Sequence, residues 1–348
     1  MSDHNPIYHL KDAFYFEVPK PLWRQGWKSL DDVPAFLRAP FEVDGATMPS
    51  VAEFNAAMDG KILIPQPFGT LESLYEKKTG FCISKYMILE LLVGLILWLV
   101  FTRLAKKLSS GGPPRGWFAN LFETFVLFVR DQIARPAIDS HDHDHDGHDG
   151  HGHDGHGHGQ AGHGAAAIAA VHEGDRFVPL LLTLFFFVLG CNLLGMVPWA
   201  GSPTASFSVT LALAGVTLAT VVIAGMMKFG PVGFFVNQVP SMDLPLPLAI
   251  VLKPMIFAIE LLGLLIKHLI LAVRLLANMV AGHLVLLGIM GMITAAASYS
   301  MNTWATVTGI SVVSSALFSV LELFVAFLQA YIFTFLSALF IGASVHQH

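Results

Sequence analysis

The chain has 348 residues, 54% of them hydrophobic and only 13% charged, with a mean hydropathy of +0.61. Soluble domains carry roughly 25% charged residues, so the polar side chains are too few to coat a water-facing globule, and the composition is that of a membrane protein. The net charge of −5 belongs to the extramembrane parts. Nine of the 20 Lys and Arg precede residue 86, none follows Arg274, and Glu322 is the single formal charge in the last 74 residues. Nothing here calls for a nucleic-acid partner. Cys82 and Cys191 lie beside or inside apolar runs without partner spacing, which argues against a disulfide framework or Cys-ligated zinc.

Residues 1–82 read as a polar N-terminal flank. They contain no apolar run long enough for a secretory signal, and Pro19, Pro21, Pro34, Pro40, Pro49, Pro65 and Pro67 divide them into short pieces joined by turns. No chemistry can be assigned to them. A helix needs about 20 mostly apolar residues to cross the bilayer, and the first such run lies in 83–104, with Lys85 and Arg103 as bookends and one acid, Glu90, inside. Segment 113–136 differs. Asn120, Glu123, Thr124, Arg130 and Asp131 share one helical stripe, while Trp117, Phe118, Leu121, Phe122, Phe125 and Phe128 lie elsewhere. That pattern predicts an amphipathic helix at the interface or against other helices. Arg103, Lys106, Lys107 and Arg115 slightly outnumber Lys77, Lys78 and Lys85, which favours a cytoplasmic loop between the two segments.

Residues 137–172 form a His/Asp/Gly-rich insert. Between 141 and 163 it carries nine histidines, five aspartates and many glycines, starting with His141, His143 and His145. Such a composition offers nothing to bury and predicts disorder. Neutral imidazoles could hold Zn²⁺ or Ni²⁺ loosely. The two readings are a tolerated linker with incidental metal affinity and a metal-handling loop. Residues 173–230 then predict two spans joined by a Gly/Pro turn, with Asn192 as the polar residue inside the first. The final section, 246–345, predicts two apolar helices. Each is much longer than a perpendicular span needs, so they must tilt steeply, bend, or lie partly in the membrane plane. The fold class is thus an all-α membrane protein of about three ordinary transmembrane helices, an amphipathic helix and a long antiparallel two-helix hairpin.

Ionisable groups within apolar helices cost at least ~2.5 kcal/mol each on insertion scales, so those present need a reason. Lys253, Glu260, Lys267 and Arg274 recur every seven residues, close to two helical turns, and Asn278 extends the same face. The lysines could snorkel to the headgroups with Glu260 paired to one of them. Arg274 is too deep for that. His283, nine residues on, falls on the opposite side of a straight helix, a tension that a bend or access from another face would relieve. In the last helix the polar residues are Glu322 and Gln329. Level residues of an antiparallel hairpin share a constant index sum. Arg274 with Gln329 and His283 with Glu322 agree within about one residue pair and place the turn near residue 302, among Ser298, Ser300, Asn302 and Thr303. A fixed cation beside an amide, with a titratable imidazole–carboxylate pair more than two turns away, is what a proton route requires. A buried His and Glu satisfying one another only for packing is the alternative.

The run LAVRLLANMVAGH (271–283), with LELFVAFLQAYIFTFLSALFIG (321–342), resembles the a subunits of the rotary F-type ATP synthases. FFFVLGCNLLGMVP (185–198), similar to the family's Asn-Leu-Leu-Gly-x-x-Pro segment, and Glu260, 14 residues before the arginine, extend the likeness over about 83–136 and 172–345. The resemblance implies that Arg274 is the essential arginine facing a ring of c subunits and that Asn278 and Gln329 flank it. It places Glu260 and Lys267 toward one ion-access route, and His283 and Glu322 at two coupled positions filled by an acid and an imidazole in either order. It further implies a non-catalytic, proton-translocating stator in a multi-pass protein of the bacterial inner membrane. The partners would be the c-ring, the b-subunit peripheral stalk and the other synthase subunits, with no cofactor. A secondary transporter for divalent metals, suggested by the His-rich loop, is disfavoured because His268, His283 and Glu322 are too dispersed to ligate one ion. No His-Glu-x-x-His pattern supports an intramembrane hydrolase.

Overall fold

The structure is a computed structural model and describes residues 12–43, 48–108, 116–138, 173–197, 200–238 and 246–345. The first residues of the polar flank and nearly all of the His/Asp-rich insert, including the expected weak metal positions His141, His143 and His145, lie outside these.

In chain order the elements are strand β1 (Tyr15–Glu17), helices α1 (Ala35–Val43) and α2 (Val51–Met58), and strands β2 (Lys61–Leu63), β3 (Gly69–Leu71) and β4 (Lys77–Gly80). Then follow α3 (Lys85–Leu108), α4 (Trp117–Phe128), α5 (Arg135–Ile138), α6 (Val178–Gly195), α7 (Phe207–Phe229), α8 (Pro231–Asn237), α9 (Leu246–Ala296) and α10 (Met301–Val345). The protein is an all-α membrane protein. Among the described residues, five helices are long and apolar enough to span a bilayer: Lys85–Lys106, Val178–Gly195, Phe207–Phe229, Leu252–Ala296 and Met301–Val345. The last two, at 45 residues each, are roughly 68 Å long at 1.5 Å per residue, against about 30 Å of hydrocarbon. Hydroxyl groups survive inside them because they bond back to their own helix: Ser337 Oγ donates to the Phe333 carbonyl at 2.7 Å, and in α7 Thr217 Oγ1 donates to Ala214 at 2.8 Å.

The chain divides into two compact units. The first comprises residues 1–102, 186–213 and 270–330. Here the polar flank folds as a small module. β1 pairs antiparallel with β2, β3 with β4, and Val33, Leu37, Phe54 and Met58 form a core against which Trp27, Phe36 and Leu63 pack. Ser50 and Glu53 cap α2 reciprocally, Ser50 N–H donating to the Glu53 carboxylate at 2.8 Å and Glu53 N–H to Ser50 Oγ at 3.4 Å. In the same unit α3 packs on α6 through Phe101 and Phe186, and Val93 fills the space left by Gly190.

α9 ends at Ala296 and α10 begins at Met301, so the hairpin turn occupies 297–300, some residues before the position near 302 that index sums indicate. The sum assumes equal advance along two straight parallel axes. The actual stop is set by Ser300, whose Oγ lies 2.8 Å from Thr303 Oγ1 and accepts the Thr303 N–H at 3.4 Å, an N-cap for α10.

The second unit comprises 103–185, 214–269 and 331–348. α4 runs through a widened π-helical turn, Val129–Ala134, into α5. Pro136 explains the change of winding, because it has no N–H to continue the α-helical ladder. The amphipathic segment buries Val129, Ile133, Ala134, Ala137 and Ile138, and stacks Phe125 on Phe185 and Phe128 on Tyr331. Arg135 clamps Asp175 through two hydrogen bonds, Nε–Oδ1 at 3.0 Å and Nη2–Oδ2 at 2.9 Å, joining the two sequence flanks of the insert.

Candidate functional site

Two ionisable residues of the first unit come together. His283 of α9 and Glu322 of α10 meet, with Nδ1 3.5 Å from Oε1. Glu322 is buried and the imidazole partly so. Gly282 makes the approach possible: a Cβ there would lie 2.7 Å from Glu322 Oε1. The Ala-Gly pair before the histidine is therefore a space for the carboxylate.

The imidazole is also held by two backbone carbonyls. Nδ1 lies 2.8 Å from the Met279 oxygen, one turn back on α9, and Nε2 lies 3.1 Å from the Gly195 oxygen at the end of α6. Carbonyl oxygens only accept, so each of these contacts is a hydrogen bond when that ring nitrogen carries its proton. Nδ1 is directed at Met279, and Glu322 Oε1 is buried with no hydrogen-bond donor among the described residues.

Beside this pair runs a buried polar chain that the sequence signals only through Asn192. Asn192 Nδ2 donates to the Ala326 carbonyl at 3.4 Å, one turn beyond Glu322 on α10, and its Oδ1 accepts from Thr204 Oγ1 at 2.8 Å. Thr204 Oγ1 in turn lies 2.9 Å from Ser202 Oγ. All three residues are essentially inaccessible. Gly195, whose carbonyl holds His283, sits against the Ser202 side chain and the Met279 methyl, so a Cβ at 195 would displace them. Ser202, Thr204 and the two glycines escape a reading by residue type because hydroxyls and glycines in a Gly/Pro turn carry no charge and no periodicity.

Arg274, about two and a half turns before His283, is half-buried, and its Nε and Nη2 are shielded without any hydrogen-bond acceptor among the described residues. No bond from these atoms reaches Gln329, which is buried on α10. Asn278 is half-buried. Glu260 and Lys267 belong to the second unit, where both are exposed. Their neighbour His268 is buried against Phe340 at 4.9 Å, with Nδ1 2.8 Å from the Leu264 carbonyl and Nε2 without a partner among the described residues.

Among the described residues, no three His, Cys, Asp or Glu side chains gather as metal ligands. The geometry is a buried carboxylate paired with a partly buried imidazole, a hydroxyl–amide chain next to it and a guanidinium unsatisfied among the described residues. Comparison with known sequences identifies the setting. The ATP synthase A chain family model matches residues 164–342.

This chain belongs to the ATP synthase A chain family.

ATP synthase subunit a of Myxococcus xanthus is 35% identical over 76% of the chain and 75% of its own length. That of an Anaeromyxobacter species is 33% identical over 98% of the chain and 70% of its own length. ATP synthase subunit a 2 of Chlorobaculum tepidum is 32% identical over 83% and 72%. The chain is thus an a subunit of the ATP synthase membrane sector, a multi-pass membrane protein concerned with ion transport and ATP synthesis, and it assembles with other subunits of that complex. Membership in this family replaces the metal-carrier alternative.

Proposed function

We propose that the chain is the proton-translocating stator of the rotary membrane sector in a bacterial inner membrane, held by a b-subunit peripheral stalk against a ring of c subunits. Two half-channels stop mid-membrane. One delivers protons to a c-ring carboxylate and the other releases them on the opposite side. His283 and Glu322 relay the proton in one of them, with Asn192 lining it; Glu260 and Lys267 line the other. Asn278 and Gln329 flank Arg274.

The observation that carries this reading is Arg274, a guanidinium whose Nε and Nη2 are shielded without an acceptor among the described residues. A guanidinium keeps its charge at every physiological pH, and a buried donor without an acceptor is costly. A carboxylate presented by another subunit would satisfy it. At an effective dielectric of 20, opposite charges 4 Å apart attract by about 4 kcal/mol, which holds the carboxylate ionised yet is comparable with the ~2.3 kcal/mol per charge that each 100 mV of membrane potential supplies. The same charge repels a proton crossing directly between half-channels. Glu322 Oε1, buried and without a donor among the described residues, lies 3.5 Å from His283 Nδ1 and is suited to exchange a proton with it. The chain itself makes and breaks no covalent bonds of ATP in this scheme.

The test is Arg274→Ala in the assembled complex. Coupled ATP synthesis is abolished, and passive proton conductance rises because an apolar gap replaces the charge barrier. Near-normal ATP-driven pumping by this variant would overturn the assignment.

A further inference from the structure

The polar chain beside His283 does not end at Ser202. Gly201, which precedes it, has a φ of +77° and lies against the side chain of Lys85: a Cβ on Gly201 would fall 2.9 Å from Lys85 Nζ. Lys85 opens α3 and is 5% exposed, a rare burial for a lysine, with its ammonium 5.4 Å from the centre of the Tyr86 ring. From Lys85 the close contacts run through Gly201 to the adjacent Ser202, whose side chain lies against Gly195, and the Gly195 carbonyl in turn meets His283 beside Glu322.

The outer end is held by the N-terminal module. The Asp12 carboxylate accepts the N–H groups of Ala13 at 3.0 Å and Tyr86 at 3.3 Å, and the Ser84 side chain bonds to it as well. The Ala13 carbonyl accepts the Lys85 N–H at 2.8 Å. Two residues of the flank are thus clamped onto the first turn of α3, where the helix favours a negative charge.

We propose that Asp12 and Lys85 form the outer proton-exchanging station of the path that ends at His283 and Glu322, which makes the polar flank part of the translocation machinery. This rests on the half-channel reading above and adds its entrance. Among the described residues the titratable groups facing Asp12 are Lys85, Tyr86 and Glu90 of α3, while Glu17 of β1 faces Lys85. Burial pushes the Asp12 carboxyl above the ordinary carboxylate range, against the opposing effects of its hydrogen bonds and of the Lys85 charge. Asp12 therefore binds a proton more readily than a surface aspartate, while Lys85 stabilises the anion left when the proton moves inward.

The experiment uses the complete complex in proteoliposomes and follows proton translocation from pH 6 to pH 9, with assembled complex and ATP hydrolysis measured in the same samples. Asp12→Asn keeps the size of the side chain and its carbonyl acceptor but cannot exchange a proton. It should slow translocation severalfold at the alkaline end, with little loss at pH 6 and normal assembly; Asp12→Glu should recover most of the rate. A wild-type pH profile for Asp12→Asn overturns the proposal. So does a pH-independent loss that follows the amount of assembled complex, which would mark Asp12 as a helix cap alone. His283→Ala in parallel separates the two ideas: a normal rate for that variant refutes the half-channel reading, whereas a defective His283→Ala beside an unaffected Asp12→Asn refutes only the entrance.

Discussion

Exchanging His283 and Glu322 tests their coupling most directly. His283→Ala removes the imidazole from between Glu322 Oε1 at 3.5 Å, the Met279 carbonyl at 2.8 Å and the Gly195 carbonyl at 3.1 Å. When the imidazole is protonated, opposite charges at 3.5 Å and an effective dielectric of 20 attract by about 5 kcal/mol. Desolvation offsets part of this, and removing one member of a buried pair costs about 3–5 kcal/mol where the other stays charged. Each single alanine variant should therefore slow proton transfer by about 100-fold or more, at 1.36 kcal/mol per tenfold. The exchange, His283→Glu with Glu322→His, keeps one acid and one imidazole at the same level. A coupling of about 2 kcal/mol is expected, within the range for residues in contact, so the double variant should run roughly 30-fold faster than the product of the two single alanine losses. The assay is ATP-driven acidification of vesicles at several pH values, normalised to assembled complex. A double variant no better than the additive expectation, together with cysteines at 283 and 322 that do not cross-link, would refute the pairing.

Gly282→Ala places a methyl 2.7 Å from Glu322 Oε1, so the carboxylate must shift by several tenths of an ångström; pumping should fall with assembly retained, and a wild-type rate would contradict the close approach. Asn192→Leu leaves Thr204 Oγ1 and the Ala326 carbonyl without their amide partner, a cost of about 1–3 kcal/mol that should appear as a lower melting temperature of the purified complex. Deleting residues 141–163 should leave assembly and pumping largely intact, because Arg135 and Asp175 already join the flanks; activity dependent on sub-micromolar Zn²⁺ in the full-length protein would contradict the linker reading. The hydrogen bond from Arg130 holds the Asp131 carboxyl below the ordinary carboxylate range. Its stabilising contribution is therefore complete above the normal aspartate value and disappears as pH falls through the lowered one. Hydrogen exchange over 129–138 should quicken on acidification through that window, and less so in Asp131→Asn.

Several features were legible in the chain itself because they depend on local or one-dimensional physics. Too few charges to coat a globule, and apolar runs of span length, specify a membrane protein whatever its neighbours do. The cost of charge in hydrocarbon singles out Arg274, His283 and Glu322, and antiparallel geometry pairs the last two by index sum alone. The π-turn before Pro136 also has a local cause, a missing amide hydrogen, but the amphipathic pattern over 113–136 reads as one continuous helix. What only the tertiary structure decided depends on groups that carry no sequence signal. Both ring nitrogens of His283 meet backbone carbonyls, one of them from a distant helix, and a carbonyl is present at every residue. The hydroxyls of Ser202 and Thr204 are ordinary turn residues until Asn192 is placed against them. Gly282 differs from other helical glycines only in what faces it. The polar flank, too, reads as proline-broken pieces, since the bond from the Tyr86 amide to Asp12, 74 residues earlier in the chain, is formed by a fold that no local periodicity encodes.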